Sequence, residues 1–251
     1  VILFLEKYQD IGSFFDSPGG TVSLVLNEDY LVSLPKYSVF EIILPGLIAF
    51  GIIVQPSLFA GLLCLEFHSD QRTFDRLMLA SLPATQYVLG TLLIQVPVII
   101  VQTIVLFVFS LLLGFNPLGN VFLGFFIALT VLPFAASLSY ITAAFVSNED
   151  VAGTILGFGS PIIGYASGAF TTLPHLVLIP DFFPAASGAT RDFLIWDLLP
   201  LTHAVNALKN VLLYDFSLGQ VFIDLSTNII LSLLMLVIAA VIFAKLRFRS
   251  P

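Results

Sequence analysis

Apolar residues in this chain come in long continuous runs, and short polar clusters separate them. The runs do not alternate, so they read as helices buried in lipid rather than as barrel strands. Crossing a bilayer takes roughly 20 apolar residues. On that measure the pattern predicts spans at 42–65, 87–113, 120–146, 151–173 and 220–244. GFNPLGN forms the turn after the second span, with Asn116, Pro117 and Gly119 as turn residues. Ser147, Asn148, Glu149 and Asp150 form the turn after the third. Ser147 or Asn148 is placed to cap the next helix, and the two acids fall in its first turn.

Some positions within the runs stand out. Gln55 and Pro56 break the first span near its middle. Gln95 and Gln102 are seven apart on the second span, share a face, and flank Pro97. The fourth span is rich in small residues (Gly153, Gly157, Gly159, Ser160, Gly164, Ser167, Gly168), and Pro161 is expected to interrupt it. Gln220, Asp224 and Asn228 share one face of the last span. Such polar positions either line a conduit or bond a neighbouring helix.

Three further segments flank the spans. In residues 1–41, TVSLVLNEDYLVSL alternates around an Asn-Glu-Asp turn and reads as a hairpin, part of an extracytoplasmic segment. Proline-punctuated residues 172–199 read as loop. LPLTHAVNALKNVLLYDFS then has Leu201, Val205, Leu208, Val211 and Leu212 at helical spacing. It is too short and too polar to span, so it is expected to dip back into the outer leaflet as a re-entrant helix. Between the first two spans lies EFHSDQRTFDRLMLASLPATQYVLG. Its Phe74, Leu77 and Met78 form one apolar helical face, and Asp70, Arg72, Asp75 and Arg76 form a polar one. Asp75 stands three residues from Arg72, a helix-pair spacing.

Composition supports the membrane reading. The 251 residues are 58% hydrophobic and 10% charged, with a mean hydropathy of +1.05; a soluble domain carries about 25% charge. The fold class is therefore an all-α integral membrane bundle. Lys245, Arg247 and Arg249 follow the last span, and Arg72 and Arg76 lie in the elbow. An odd number of spans puts both clusters on one side, the cytosolic one by the positive-inside rule. The net charge of −7 and the lack of a basic stripe exclude nucleic-acid binding. Cys64 has no partner cysteine. His68, His175 and His203 show no metal-ligand spacing. There is no phosphate-binding Gly-x-x-x-x-Gly-Lys-Ser/Thr loop and no Gly-x-Ser-x-Gly nucleophile elbow. The expectation is a transport protein, not an enzyme. An ion-coupled carrier or a structural membrane subunit is the alternative. A carrier would ordinarily place acids near the bilayer midplane.

The layout resembles the type-2 ATP-binding-cassette (ABC) exporter permeases over residues 40–246. PGLIAF and Glu66 are followed by Thr73, the step Asp75-Arg76-Leu77, a proline and Gly90. A glycine-rich fourth span leads into a proline-rich loop. LPLTHAVNALKNVLL resembles the family's helix before the last span. Three departures stand beside these: Arg72 where the family has Gly, Pro83 a little late, and Lys209 in place of Arg. The resemblance implies a permease domain at 42–246 with a cytosolic tail at 247–251, and a sixth span upstream of Val1. It implies a multi-pass protein of the cytoplasmic membrane that pairs with a second permease, the same or related. It also implies ABC ATPase partners holding ATP and Mg, while this chain holds no cofactor. In that setting the elbow is a coupling helix, and Glu66, Arg72, Thr73, Phe74, Asp75, Arg76 and Leu77 would contact the ATPase. The substrate class implied is lipophilic or amphipathic: a drug, a lipid or a lipid-linked glycan.

Overall fold

A computed structural model describes residues 39–68, 84–170, 176–184 and 190–247. The hairpin expected at 21–34, the elbow at 69–83 and the last four residues lie outside them. The described chain is a helical bundle. Helices α1 (Val39–Val54) and α2 (Pro56–His68) precede the elbow, and α3 (Ala84–Leu112) follows it. Next come α4 (Val121–Leu129), α5 (Leu132–Phe145) and α6 (Glu149–Ala166). A hairpin of β1 (Val177–Pro184) and β2 (Thr190–Leu194) and a 3-10 turn (Ile195–Leu198) lead into α7 (Pro200–Tyr214) and α8 (Leu218–Arg247).

Among the described residues, four segments are long and apolar enough to cross a membrane: Glu41–Glu66, Gln86–Leu112, Val121–Phe145 and Leu218–Arg247. They coincide with the predicted first, second, third and last spans. The fourth predicted span forms α6 but is not among them. Two acids in its first turn and its many glycines lower its hydropathy. Leu93, Val101, Val105 and Phe109 of α3, and Phe222, Ile230, Leu234 and Val237 of α8, point outward. This outward apolar surface suits acyl chains and not water.

Local chemistry accounts for the breaks. Pro56 has no N–H to give the carbonyl of Ile52, and the first span divides at Gln55 as expected. The third span divides at Thr130–Val131, which was not foreseen, ahead of Pro133 in the first turn of α5. Pro161 was expected to interrupt its helix, yet α6 runs through it. The carbonyl its ring crowds belongs to Gly157, where a Cβ would meet nothing within 4 Å, so the chain has room to adjust. Asn148 settles the capping alternative: its side chain accepts from the Val151 N–H at 3.1 Å. Residues read as loop at 172–199 include an antiparallel pair. Its register runs from Val177↔Leu194 to Pro184↔Thr190, with irregularities on either side of Ile179. Val177, Ile179, Phe182 and Phe183 favour extended backbone, and Pro180 sits where the ladder breaks.

The main core gathers α1, α4 and α7. Ile48, Ile52, Ile127, Leu201, Val205, Leu208 and Leu212 are almost wholly buried in it. Helix α7 therefore forms where predicted, and its apolar face packs on α8, α1 and α4. A second cluster joins α2, α3, α5 and α8 through Leu63, Tyr87, Tyr140, Ala143 and Phe243.

Candidate functional site

Arg72, Thr73, Phe74, Asp75, Arg76 and Leu77 lie outside the described residues. The two roots of the elbow, at the end of α2 and the start of α3, are described, and they are bonded to each other. The Tyr87 hydroxyl donates to the Glu66 carboxylate. The Tyr87 ring is buried and stacks on Phe243 of α8, with centroids 6.2 Å apart and planes 14° apart. Tyr140 of α5 packs on the same Phe243 at 5.4 Å, and its hydroxyl donates to the Val88 carbonyl at 3.0 Å.

One turn further along α8, Arg247 closes the end of α5. Its Nε and Nη2 donate to the Ala143 carbonyl at 2.9 and 2.7 Å, and Nη2 also reaches the Val146 carbonyl at 2.6 Å. A guanidinium at a helix C-terminus satisfies orphan carbonyls and favours the helix dipole. The Cys64 thiol donates to the same Val146 carbonyl at 3.2 Å. The ends of α2, α3, α5 and α8 thus form one bonded floor beneath the elbow's roots.

The glutamines occupy different settings. Gln102 of α3 donates from Nε2 to the Gly51 carbonyl of α1 at 2.7 Å, so it bonds two helices. Gln55, at the break, is buried, and neither of its side-chain polar atoms has a partner among the described residues. Gln95 is buried, and its Nε2 has none among them. A buried polar group without a partner costs about 1–3 kcal/mol. In sequence both lie between the two ties of this helix pair, Glu66 to Tyr87 and Gly51 to Gln102.

The polar face of α8 divides in three. Gln220 is exposed, and its Oε1 accepts from the Ser217 N–H at 2.8 Å, which makes it part of the helix's N-terminal cap. Asn228 is fully buried and donates to the Thr130 hydroxyl at 2.7 Å, which ties α8 to the break between α4 and α5. Asp224 meets His203 of α7, whose Nδ1 lies 3.1 Å from its Oδ1. His203 had no part in the sequence-based site, because its partner is far away in sequence and no local spacing points to it.

Lys209 was noted only as a departure from the family's Arg. Its Nζ donates to the Gly168 carbonyl at the end of α6, at 2.7 Å. Burial pushes its pKa below the ordinary lysine value.

An open groove of about 580 Å³ runs between α2 and α6. Leu58, Leu62 and Leu65 line one side and Gly153 and Thr154 the other, with Glu149 and Asp150 at the elbow end. Among the described residues no group of His, Cys, Asp and Glu could hold a metal ion.

A bundle of apolar helices with an outward lipid-facing surface is that of an integral membrane protein. The profile of the ABC-2 type transporter family matches residues 11–213, and the chain belongs to that family. The family's membrane domain is a transport permease and carries no catalytic site, and the family implies association with ABC ATPases in a membrane. No curated protein and no solved structure matches the chain.

Proposed function

We propose that this permease is the membrane subunit of an ATP-driven exporter, and that its elbow receives the stroke of an ABC ATPase. The observation that carries the reading is the floor. Glu66 and Tyr87 bracket the elbow, and Tyr87 rests on Phe243, so a displacement of the elbow is passed to α8 and α5. ATP and Mg belong to the partner ATPase. Glu66, Arg72, Thr73, Phe74, Asp75, Arg76 and Leu77 form the contact with it.

The elbow and the C-terminus lie on the cytosolic side of the cytoplasmic membrane, where Arg72, Arg76, Lys245, Arg247 and Arg249 cluster. Two permeases, identical or related, pair in the working complex. The groove between α2 and α6 has one leucine wall and two acids at its elbow end, which suits an amphipathic or lipophilic substrate. Gln55, Gln95, Gln102, Asp224 and Asn228 supply the polar positions along which the bundle rearranges; Gln220 caps α8.

The test is co-expression with ABC ATPases, followed by purification and an ATP hydrolysis assay. An ATPase is expected to co-purify with the intact chain, and Asp75→Ala with Arg76→Ala is expected to weaken that association or uncouple it. If no ATPase associates, the exporter reading fails and an ion-coupled carrier takes its place.

A further inference from the structure

The hairpin that follows α6 carries an apolar surface of its own. Leu176, Val177, Leu178 and Ile179, in unbroken succession, are 51, 44, 50 and 47% exposed. Successive side chains of an extended chain leave on opposite sides, and the irregularity between Val177 and Ile179 displaces at most one of them. Both faces of the hairpin's base are therefore apolar and open. Ile195 and Leu198 of the 3-10 turn widen the same patch. Among the described elements, β1 packs on β2 and β2 on the 3-10 turn, and no helix lies broadly against either strand. A lone two-stranded unit is marginal in water, and apolar sides left open there are a liability.

The patch is held at a set height. Oδ2 of Asp197 accepts from the Leu194 N–H at 2.8 Å, and the Thr202 hydroxyl of α7 donates to the Trp196 carbonyl at 2.7 Å. These bonds pin the turn to α7, which is buried in the main core. Helix α6 begins at the elbow end of the groove, and Ala169 just past its other end lies against Gly46 of α1, so the hairpin belongs to the end away from the elbow. Composition then changes along the hairpin. Beyond Ile179 come Asp181, Phe182 and Phe183 on β1, and Arg191 and Asp192 on β2, with Phe183 opposite Arg191. Apolar residues at the base, then charges and aromatic rings, follow the order met on leaving a bilayer. A bilayer is alike on both faces of a strand and changes with depth, whereas a protein partner covers one face.

We infer that the base of this hairpin is a lipid-binding surface, seated at the boundary between acyl chains and headgroups in the leaflet away from the elbow. Its ligands are the upper parts of acyl chains, which meet Leu176, Val177, Leu178, Ile179, Ile195 and Leu198. The strands go no deeper. A two-stranded ladder keeps two open edges, whose N–H and C=O groups hydrocarbon cannot satisfy and headgroups and interfacial water can. Trp196 lies in the turn at that level, the depth at which tryptophan is enriched in membrane proteins. Through the Thr202 bond the surface ties the start of α7 to the bilayer.

The test uses the full chain in liposomes and needs no ATPase, so it is independent of the exporter reading. Trp196 is the chain's single tryptophan and reports without any substitution. The largest loss of its emission is expected with lipids brominated high on the acyl chain. Lipids brominated near the chain end and aqueous iodide are each expected to quench less. Stronger quenching by iodide puts the turn in water, stronger quenching by the deep bromines puts it in the hydrocarbon core, and no quenching by any of the three puts it under protein. Each of these overturns the proposal.

Nitroxide labels supply a second readout, placed singly through Leu176→Cys, Val177→Cys, Leu178→Cys and Ile179→Cys; the native Cys64 is buried. With lipid on both faces, all four labels are expected to collide more often with oxygen than with a water-soluble nickel chelate. A label that favours the nickel chelate, or labels on one side that are shielded from both reagents as under a second copy of the chain, overturns the proposal. A label variant that does not fold leaves the tryptophan measurement in the unaltered chain to decide.

Discussion

The two ends of the bundle are held by different means. At the end away from the elbow, backbones touch: a Cβ on Gly46 of α1 would fall 2.0 Å from the Ala169 carbonyl oxygen, and one on Gly119 would fall 1.9 Å from that of Val211. Where α2 meets α6 towards the elbow, Gly153 and Gly157 face open space and the helices part around a groove. The floor is closed by side chains instead, through the Glu66–Tyr87 bond, the Phe243 platform and the Arg247 cap. One end is rigid by contact, and the other is joined through bonds that can transmit or release. A permease driven from the elbow needs that asymmetry.

The largest expected effect comes from filling the tight end. Gly46→Ala and Gly119→Ala force backbone shifts and are expected to cost about 3 kcal/mol or more, read as a fall in thermal unfolding temperature in detergent. Gly153→Ala and Gly157→Ala are the controls. On the open face of α6 they are expected to be neutral or to stabilise by up to about 1 kcal/mol. Equal losses at all four positions would erase the contrast.

Removing the cap comes next. Arg247→Ala leaves the carbonyls of Ala143 and Val146 without their charged donor, with an expected loss of about 1.5–3 kcal/mol and faster amide exchange at the end of α5. Arg247→Lys is expected to recover only part of it, since an ammonium does not reproduce the fork. Full recovery would show that charge alone suffices.

The smallest effect is at Lys209. Its pKa is held below the ordinary lysine value, so the folded state disfavours the charged form. Stability is expected to rise with pH as the buried ammonium loses its proton, from the lowered value up to the ordinary one near 10.5, and Lys209→Met should abolish that rise.

Much of the architecture was legible because its causes are local. Continuous apolar runs gave the spans, Pro56 gave the break at Gln55, and Asn148 before two acids gave the start of α6. The break at Thr130 was missed because its stabilising partner, Asn228, lies on α8, far along the chain. Pro161 misled because a proline in a glycine-rich, open helix face meets little resistance. The elbow was visible as a charged island, but its anchorage was not: Tyr87 and Phe243 acquire a role only when α3 and α8 meet. The face of α8 looked uniform in sequence, yet Gln220, Asp224 and Asn228 face a turn, a helix and a helix break in succession.

The central claim is that motion of the elbow enters the bundle through the bond between Glu66 and Tyr87. Spin labels at Leu62→Cys and Phe158→Cys, both exposed, report the distance across the groove by double electron–electron resonance. In the complex with its ATPase, adding ATP is expected to change that distance in the otherwise unaltered chain. In Tyr87→Phe the ATPase is expected to stay bound while the change is lost. The same nucleotide-dependent change in both proteins would contradict the account.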